Sequence, residues 1–327
     1  MTRTPAGTQA LGSGRLPASQ QALGWHALEA SLARQAARDH VALDSADQAW
    51  VQVGWPIRSS YLDLLAVDFA SGVQEQYLSS QPQEVAAAIN SWVSRHTSGH
   101  ITKLVTPEEV QGSAAVLVDA VYLNALWATP FSHSNTAPRP FHVSSSITVN
   151  VPMMWAEMIF AASETPSIDA VELPYQGDHL SALVLMPPLD QLASFESHLT
   201  PRAVDKIVSG LHAQSIGLRL PKFSLNSALR LNKVLGAMGM GQAFGPTANF
   251  SDMSPKGLQI GFVVHDAQIK VAERGTEASA GSAGGMAGEA VVRSRPVLVD
   301  HPFLFLVHDN ATGCILFEAQ VTDPAAS

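Results

Sequence analysis

The segment Val271–Val307 reads VAERGTEASAGSAGGMAGEAVVRSRPVLVDHPFLFLV. Both of its flanks have the character of strands. Upstream, LQIGFVVHDAQIKVAE (258–273) is long and rich in β-branched residues. Downstream, HPFLFLV (301–307) opens another apolar run. Between them, Gly275 to Pro296 is rich in small residues and nearly free of large apolar ones. Unstructured stretches of this length are uncommon inside compact domains and are usually functional or disordered. Because strong strands lie on either side, the segment must leave one body and return to it.

Working outward, the C-terminal run HPFLFLVHDNATGCILFEAQV predicts a hairpin around Asp309 to Gly313. Toward the N-terminus, SIGLRLPKF alternates cleanly, with Ile216, Leu218 and Leu220 on one face and Gly217 and Arg219 on the other. A short helix is expected after it, with Leu231, Val234, Leu235 and Met238 facing inward. AVELPY, a Gln176-Gly177-Asp178 turn and LSALVLMP read as a hairpin. AAVLVDAVYLNALW is a long apolar strand. QPQEVAAAINSWVSRHTSGH is a helix with Val85, Ile89, Trp92, Val93 and His96 on one face and Gly99 at its stop. His96 and His100 are read there as helix-end groups, not metal ligands. A strand over VALDSADQAWVQVGWPI ends at Pro56, and a helix runs from Ala22 to about Ala37. Residues 1–21 are Gly, Pro, Ser and Gln-rich and are read as a flexible segment. Helices and strands mix without regular alternation, which points to an α+β fold in one domain over residues 22–327.

The bulk numbers exclude several functions. The 327 residues are 46% hydrophobic, enough for a large core. A net charge of −9 argues against nucleic acid and anionic membrane as partners. The one cysteine, Cys314, rules out an intrachain disulfide and is read as a small buried hydrophobe. The first 21 residues lack an apolar core, so no secretion signal is read in them, and no run is long enough to span a bilayer. No HExxH, Cys/His cluster or paired-carboxylate pattern occurs, so neither a metal nor another cofactor is expected. Six Lys against thirteen Arg, with abundant Ala, suggest a GC-rich bacterial genome.

The long segment admits several readings on composition. It suits a flexible insertion. It does not suit a phosphate cradle, because no Gly-Lys-Ser/Thr follows its glycines. Ala280-Gly281-Ser282-Ala283-Gly284 approaches a nucleophile elbow, but the required strand before and helix after are missing.

A family resemblance favours another reading. VAERGTEASAGS resembles the hinge of the serpins, which runs roughly Glu-Glu-Gly-Thr-Glu-Ala-Ala-Ala. In order, AAAINSWVSRHTSGHIT, LVDAVYLNALWATPF, VPMM, VELPYQGDHLSALVLMP, LPKFSLN, LGAMGMGQAFGPTANFSDMS and DHPFLFLVHDNATGCILFEAQVTDP resemble further serpin segments. The likeness covers about Leu43 to Pro324. It implies a large mixed central sheet with smaller sheets, helices packed around it and an exposed reactive-centre loop over about 273–296. It implies no enzyme activity and no cofactor. It also implies a monomer that inhibits a serine protease, or a cysteine protease, as a suicide substrate. In that mechanism the protease cleaves the loop, and the acyl-enzyme is trapped as the cut loop inserts into the central sheet.

Residues carry over by motif. Glu273, Gly275, Thr276, Glu277, Ala278, Ser279 and Ala280 match the hinge. On an inserted strand Thr276, Ala278, Ala280 and Ser282 share one face, and all are small, as a packed sheet interior requires. Arg274 stands where the family has a second Glu, and Gly281, Gly284, Gly285 and Gly288 lower strand propensity. Slower insertion and partial substrate behaviour are therefore expected. Trp127 matches a Trp where insertion begins. His265 matches a His where the central strands part, and Asp119 replaces its usual Asn partner, so an Asp119–His265 contact is expected. Counting sixteen positions beyond Glu273 puts the scissile bond at Glu289–Ala290, the choice of a glutamyl-preferring protease. Arg293, for a trypsin-like enzyme, and Met286 are the alternatives.

The resemblance implies that the family's N-terminal strand and helices are missing, through a misassigned start codon, a decayed gene or loss of those elements; where they are truly absent, apolar surface on the back of the main sheet and poor solubility or instability are expected. The compartment stays open between cytoplasmic and exported. The alternative reading is a serpin-fold protein that no longer inhibits and acts as a substrate or a binding protein.

Overall fold

A computed structural model describes residues 18–39, 41–63, 73–276 and 294–326. The described strands, in chain order, begin with β1 (Ala42–Gln52), β2 (Val73–Gln76) and β3 (Ala115–Leu126). Next come β4 (Ala137–Ser144), β5 (Ile147–Thr165), β6 (Ile168–Pro174), β7 (Leu180–Met186) and β8 (His212–Pro221). The series continues with β9 (Phe223–Arg230), β10 (Phe262–Ala272) and β11 (Gly275–Thr276). It ends with β12 (Arg295–Leu298), β13 (Phe303–Asp309) and β14 (Ile315–Val321). The chain divides into two compact units. One holds residues up to 34, 43–122 and 226–268, and the other holds 35–42, 123–225 and 269–327.

In the first unit the strands run β2-β1-β3-β10-β9. β3 and β10 pair in parallel from Val116↔Phe262 to Tyr122↔Gln268. Alternation sends Val116, Val118, Ala120, Phe262 and Val264 to one face, where the helix Pro82–His96 covers them with Val85, Ala86, Ile89 and Val93. That helix starts with Pro82 at its first turn and Glu84 near its positive end, and finishes with Arg95 and His96. Gly99, at φ +83°, stops it, its N–H returning to the Ser94 carbonyl. His96 does not join the buried face. It is exposed, with its ring 4.4 Å from Trp92. Asn90 fixes the departing chain by accepting from the N–H groups of Leu104 and Val105 and donating to the Val105 carbonyl.

The expected inward-facing helix near Leu231 is corrected. Only Asn232–Leu235 is α-helical, and a wider turn over Gly236–Met240 follows, with Gly239 at φ +98°. Val234 is 54% and Met238 45% exposed. Three glycines in six residues, Gly236, Gly239 and Gly241, break the helical period that the apolar spacing suggested.

In the second unit eight strands form one sheet, β12-β8-β5-β6-β7-β13-β14, with β4 also on β5. Every residue of β7 and β13 is buried, which explains why their sequences show continuous apolar runs without alternation. Gly177 at φ +88° and Asp178 at φ +59° make the β6–β7 turn. Cys314 precedes β14 half-buried, where burial and then Asp309 push its thiol up.

The boundaries of the long segment also move inward. Gly275–Thr276 and Arg295–Leu298 are strands, so the loop expected over 273–296 is strand at both described ends.

Candidate functional site

In the second unit the chain leaves β10 at Ala272, turns through Glu273 and Arg274, and doubles back as β11. Val271 and Ala272 pair with Thr276 and Gly275 on one side of β11, and Ala125 and Leu126 of β3 pair with Thr276 and Gly275 on the other. β11 therefore stands between the ends of the two strands. Gly275 has φ +152°, and a Cβ there would run into the Ala125 carbonyl and the Leu126 backbone. Only glycine fits this close approach.

Thr276 is fully buried, and its hydroxyl lies 2.6 Å from that of Tyr175. Tyr175 is itself buried and stacks on Trp127, with centroids 4.6 Å apart. Burial pushes its phenol up, the bond to Thr276 opposing. Trp127 holds the turn at two points. Its backbone N–H donates to the Arg274 carbonyl, and its indole N–H donates to the Ala272 carbonyl at 3.0 Å.

Glu273, between those two carbonyls, is 5% exposed. Lys222 Nζ sits 2.9 Å from Oε2, Thr136 donates to Oε1 at 2.8 Å, and His133 Nδ1 approaches Oε1 at 2.8 Å. Burial works to raise its carboxyl. The bonds from Lys222, its own backbone and Thr136 outweigh that and bring it down to about 2. Glu273 is thus ionised at any ordinary pH and pinned from three directions.

Asp119 and His265 lie in the first unit, opposite each other in the β3–β10 register. His265 Nδ1 is 2.5 Å from Asp119 Oδ2. The bond to Asp119 raises the imidazole above its ordinary value, burial opposes it, and the charges of Asp119, Asp266 and Asp47 support it. Any strand that parts β3 from β10 at this level breaks the pair.

A pH dependence follows. His265 gains its partner in the folded state, so its contribution is fully present below pH 6.5 and is lost as pH rises through the higher folded value. Asp119→Asn is expected to remove about 1 kcal/mol near pH 6, discounted for partial exposure, and to leave stability flatter between pH 6 and 8. Thermal melts across that range check it.

The sequence reading thus reached Glu273, Gly275, Thr276 and Trp127, which come together in the second unit, and Asp119 with His265, which meet in the first. Glu277, Ala278, Ser279, Ala280, Met286, Glu289, Ala290 and Arg293 lie outside the described residues. Sequence reasoning missed Tyr175, Lys222, Thr136 and His133. Tyr175 and Lys222 stand inside the quoted runs VELPYQGD and LPKFSLN, but no local spacing links them to residues 101 and 51 positions away.

A family model for serpin (serine protease inhibitor) matches residues 7–324. An uncharacterized serpin-like protein of Thermococcus kodakarensis is 33% identical over 286 residues, covering 86% of this chain and 66% of the relative. The chain thus spans about two thirds of that relative's length. A serine protease inhibitor of Cyanea capillata is 32% identical over 306 residues, covering 91% of this chain and 80% of the relative. Among solved structures, Serpin48, a highly specific serpin of the insect Tenebrio molitor, superposes with a TM-score of 0.82 at 27% identity, covering 97% of this chain and 84% of that one. A family match running almost from end to end, with relatives more than 30% identical along most of the chain, leads to one conclusion: the chain belongs to the serpin family.

Proposed function

We propose that this chain inhibits a serine protease as a suicide substrate. The protease cuts the segment between Thr276 and Ser294, and the cut strand extends β11 down the gap between β3 and β10 before the acyl-enzyme hydrolyses. The observation that carries this reading is the seat of Thr276. Its side chain is buried between two strands that pair directly elsewhere, so the first step of strand addition needs no new nucleus. Continued insertion adds one ladder hydrogen bond after another as the β3–β10 register opens. The small residues Ala278, Ala280 and Ser282 follow Thr276 at every second position, which suits the same face. The proposed scissile bond is Glu289–Ala290, with Arg293 and Met286 as alternatives, and the proposed target is a glutamyl- or trypsin-like enzyme.

The test is to mix the protein with glutamyl-specific, trypsin-like and chymotrypsin-like serine proteases and run a denaturing gel. A band at the summed mass that survives denaturant is expected, together with a released C-terminal peptide beginning at Ala290. Loop cleavage without such a band removes the inhibitory reading and leaves a substrate or binding protein.

A further inference from the structure

β10 carries two buried oxygen atoms that the fold leaves without a donor. Phe262 and Val264 point to the face of the first unit's sheet that the helix Pro82–His96 covers. Alternation sends Asp266 and Gln268 to the same face. In the β3–β10 register Asp266 stands opposite Ala120 and Gln268 opposite Tyr122. Ala120 has no exposed surface and belongs to the apolar cluster that holds Ile89, Val93 and Ile101. Asp266 beside it is 2% exposed. Its Oδ1 and the Oε1 of Gln268 are both buried, and neither has a hydrogen-bond partner among the described residues. A buried acceptor without a donor costs stability, and a charged one costs more.

The charged groups around Asp266 are committed elsewhere. His265 points to the opposite face and is bound to Asp119. Arg230 of β9 donates to both oxygens of Glu109 and to the Leu104 carbonyl. On the covering helix Glu84, Arg95 and His96 are exposed, as are Lys103 and Glu108 in the chain after it. The His100 ring stacks on Tyr122 with centroids 4.0 Å apart. Lys270, the next same-face residue of β10, is exposed. Burial raises the Asp266 carboxyl above its ordinary value of 3.8, with the charges of His265 and Arg230 opposing only in part. A hard cation needs about six oxygen ligands, and the described residues hold no group of three or more His, Cys, Asp or Glu that could bind one. A proton needs far less. A neutral carboxyl carries one O–H donor. Successive same-face residues of a strand lie about 6.7 Å apart, a gap that an aspartyl and a glutaminyl side chain close together.

We infer that Asp266 is held as the neutral acid while the helix covers the sheet, its proton directed to Gln268, and that loss of this proton loosens the cover and lets β3 and β10 part. The inference rests on the inhibitory reading only for the reason that the strands part. The proton itself is a separate, measurable claim. Linkage fixes its sign and size. Uncovered, Asp266 titrates near its ordinary value, so the stability conferred by the proton is fully present below 3.8 and is lost as pH rises through the higher covered value. Inside that window each pH unit favours the uncovered state by up to about tenfold.

The experiment compares the full chain with Asp266→Asn, whose amide donates as the neutral acid does but cannot ionise. Denaturant titrations run from pH 4.5, the ordinary value of Glu273, to pH 6.5, that of His265, so neither of those groups contributes much slope. The parent is expected to lose stability as pH rises across this range. Asp266→Asn should lack that part of the slope and be the more stable protein at the upper end. An infrared difference spectrum between the two at about pH 5, where an ordinary aspartate is ionised, should show a carboxylic-acid carbonyl band in the parent alone. Equal slopes, or no such band, overturn the inference. Asp266→Leu serves the same comparison if the asparagine variant does not fold. Higher stability in potassium chloride than in choline chloride at equal ionic strength, lost in Asp266→Asn, would assign the two oxygens to a bound cation and overturn it as well. The link to inhibition is read separately, with a protease that the parent traps. The ratio of trapped complex to cleaved chain should rise with pH more steeply in the parent than in Asp266→Asn, by up to about tenfold per pH unit. Equal pH dependence of that ratio overturns the gating step. If nothing is trapped, the inhibitory reading fails by itself, and the titrations and the infrared band still decide the proton.

Discussion

Thr276→Arg is expected to abolish covalent protease trapping while leaving cleavage of the bait segment intact. Thr276 has no exposed surface, its hydroxyl is engaged by Tyr175, and strands lie on both sides of it. Arginine adds a long side chain and a permanent charge. An unpaired buried guanidinium costs several kcal/mol, so the substituted hinge leaves the gap instead of filling it. The fold survives, because expelling Gly275 and Thr276 leaves the β3–β10 pairing of the first unit in place. The segment remains a substrate, but the cut strand cannot start down the sheet, so hydrolysis of the acyl-enzyme wins. The measurement is the ratio of trapped complex to cleaved chain, which should fall by at least about a hundredfold, more than 2.7 kcal/mol in partitioning. Tyr175→Phe is the mild control. It removes one buried hydrogen bond worth about 1 kcal/mol without blocking the gap, and partial trapping should remain. Full trapping by Thr276→Arg would mean that insertion does not pass through this position.

The contrast between what was legible in the sequence and what was not has physical roots. Glu273, Gly275 and Thr276 were singled out through the resemblance of VAERGTEASAGS to a family hinge, since composition by itself suited a flexible insertion equally well. Strands such as β8 were readable from the residues alone, because alternate burial produces period two. β7 and β13 blurred into plain apolar runs because both faces are buried. The Leu231–Met238 segment failed in the opposite way. Its apolar spacing suits a helix, yet Gly236, Gly239 and Gly241 cost more than that spacing returns. His96 was misplaced because a face defined by spacing alone does not register that the helix ends there. Most of the hinge's polar support was invisible. Lys222, Thr136 and His133 reach Glu273 from distant parts of the chain, and no rule of periodicity encodes a contact across 51 or 137 positions.

That support makes the strongest stability prediction. Glu273→Lys should destabilise the second unit by about 3–5 kcal/mol, the loss expected when a buried pair keeps one charge and loses its partner. The mechanism is threefold. The carboxylate that receives Lys222 and Thr136 disappears, two ammonium groups are forced together in a pocket where residue 273 is 5% exposed, and His133 loses its acceptor. The turn is tied to Trp127 through the carbonyls on either side of residue 273, and the Glu273 carbonyl itself receives the Phe131 N–H. Displacing the side chain therefore also disturbs the seat of β11. Denaturant titration of Glu273→Lys, Lys222→Glu and the double variant gives the coupling directly. Charge reversal in both partners restores the sign of the pair but not the Thr136 bond, so the double variant should recover about half of the loss. Recovery of nothing would place the energy in the hydrogen bonds around Oε1, and an undiminished single variant would show that Glu273 is not the clamp its geometry describes. Acid gives an independent reading of the same group. With its carboxyl lowered from 4.5 to about 2, the Glu273 contribution is fully present above the ordinary value and declines as pH falls from there through the folded value. The parent should therefore lose stability with a slope across that acid window, and the Glu273→Gln variant, which has no carboxyl to protonate, should lack that part of the slope.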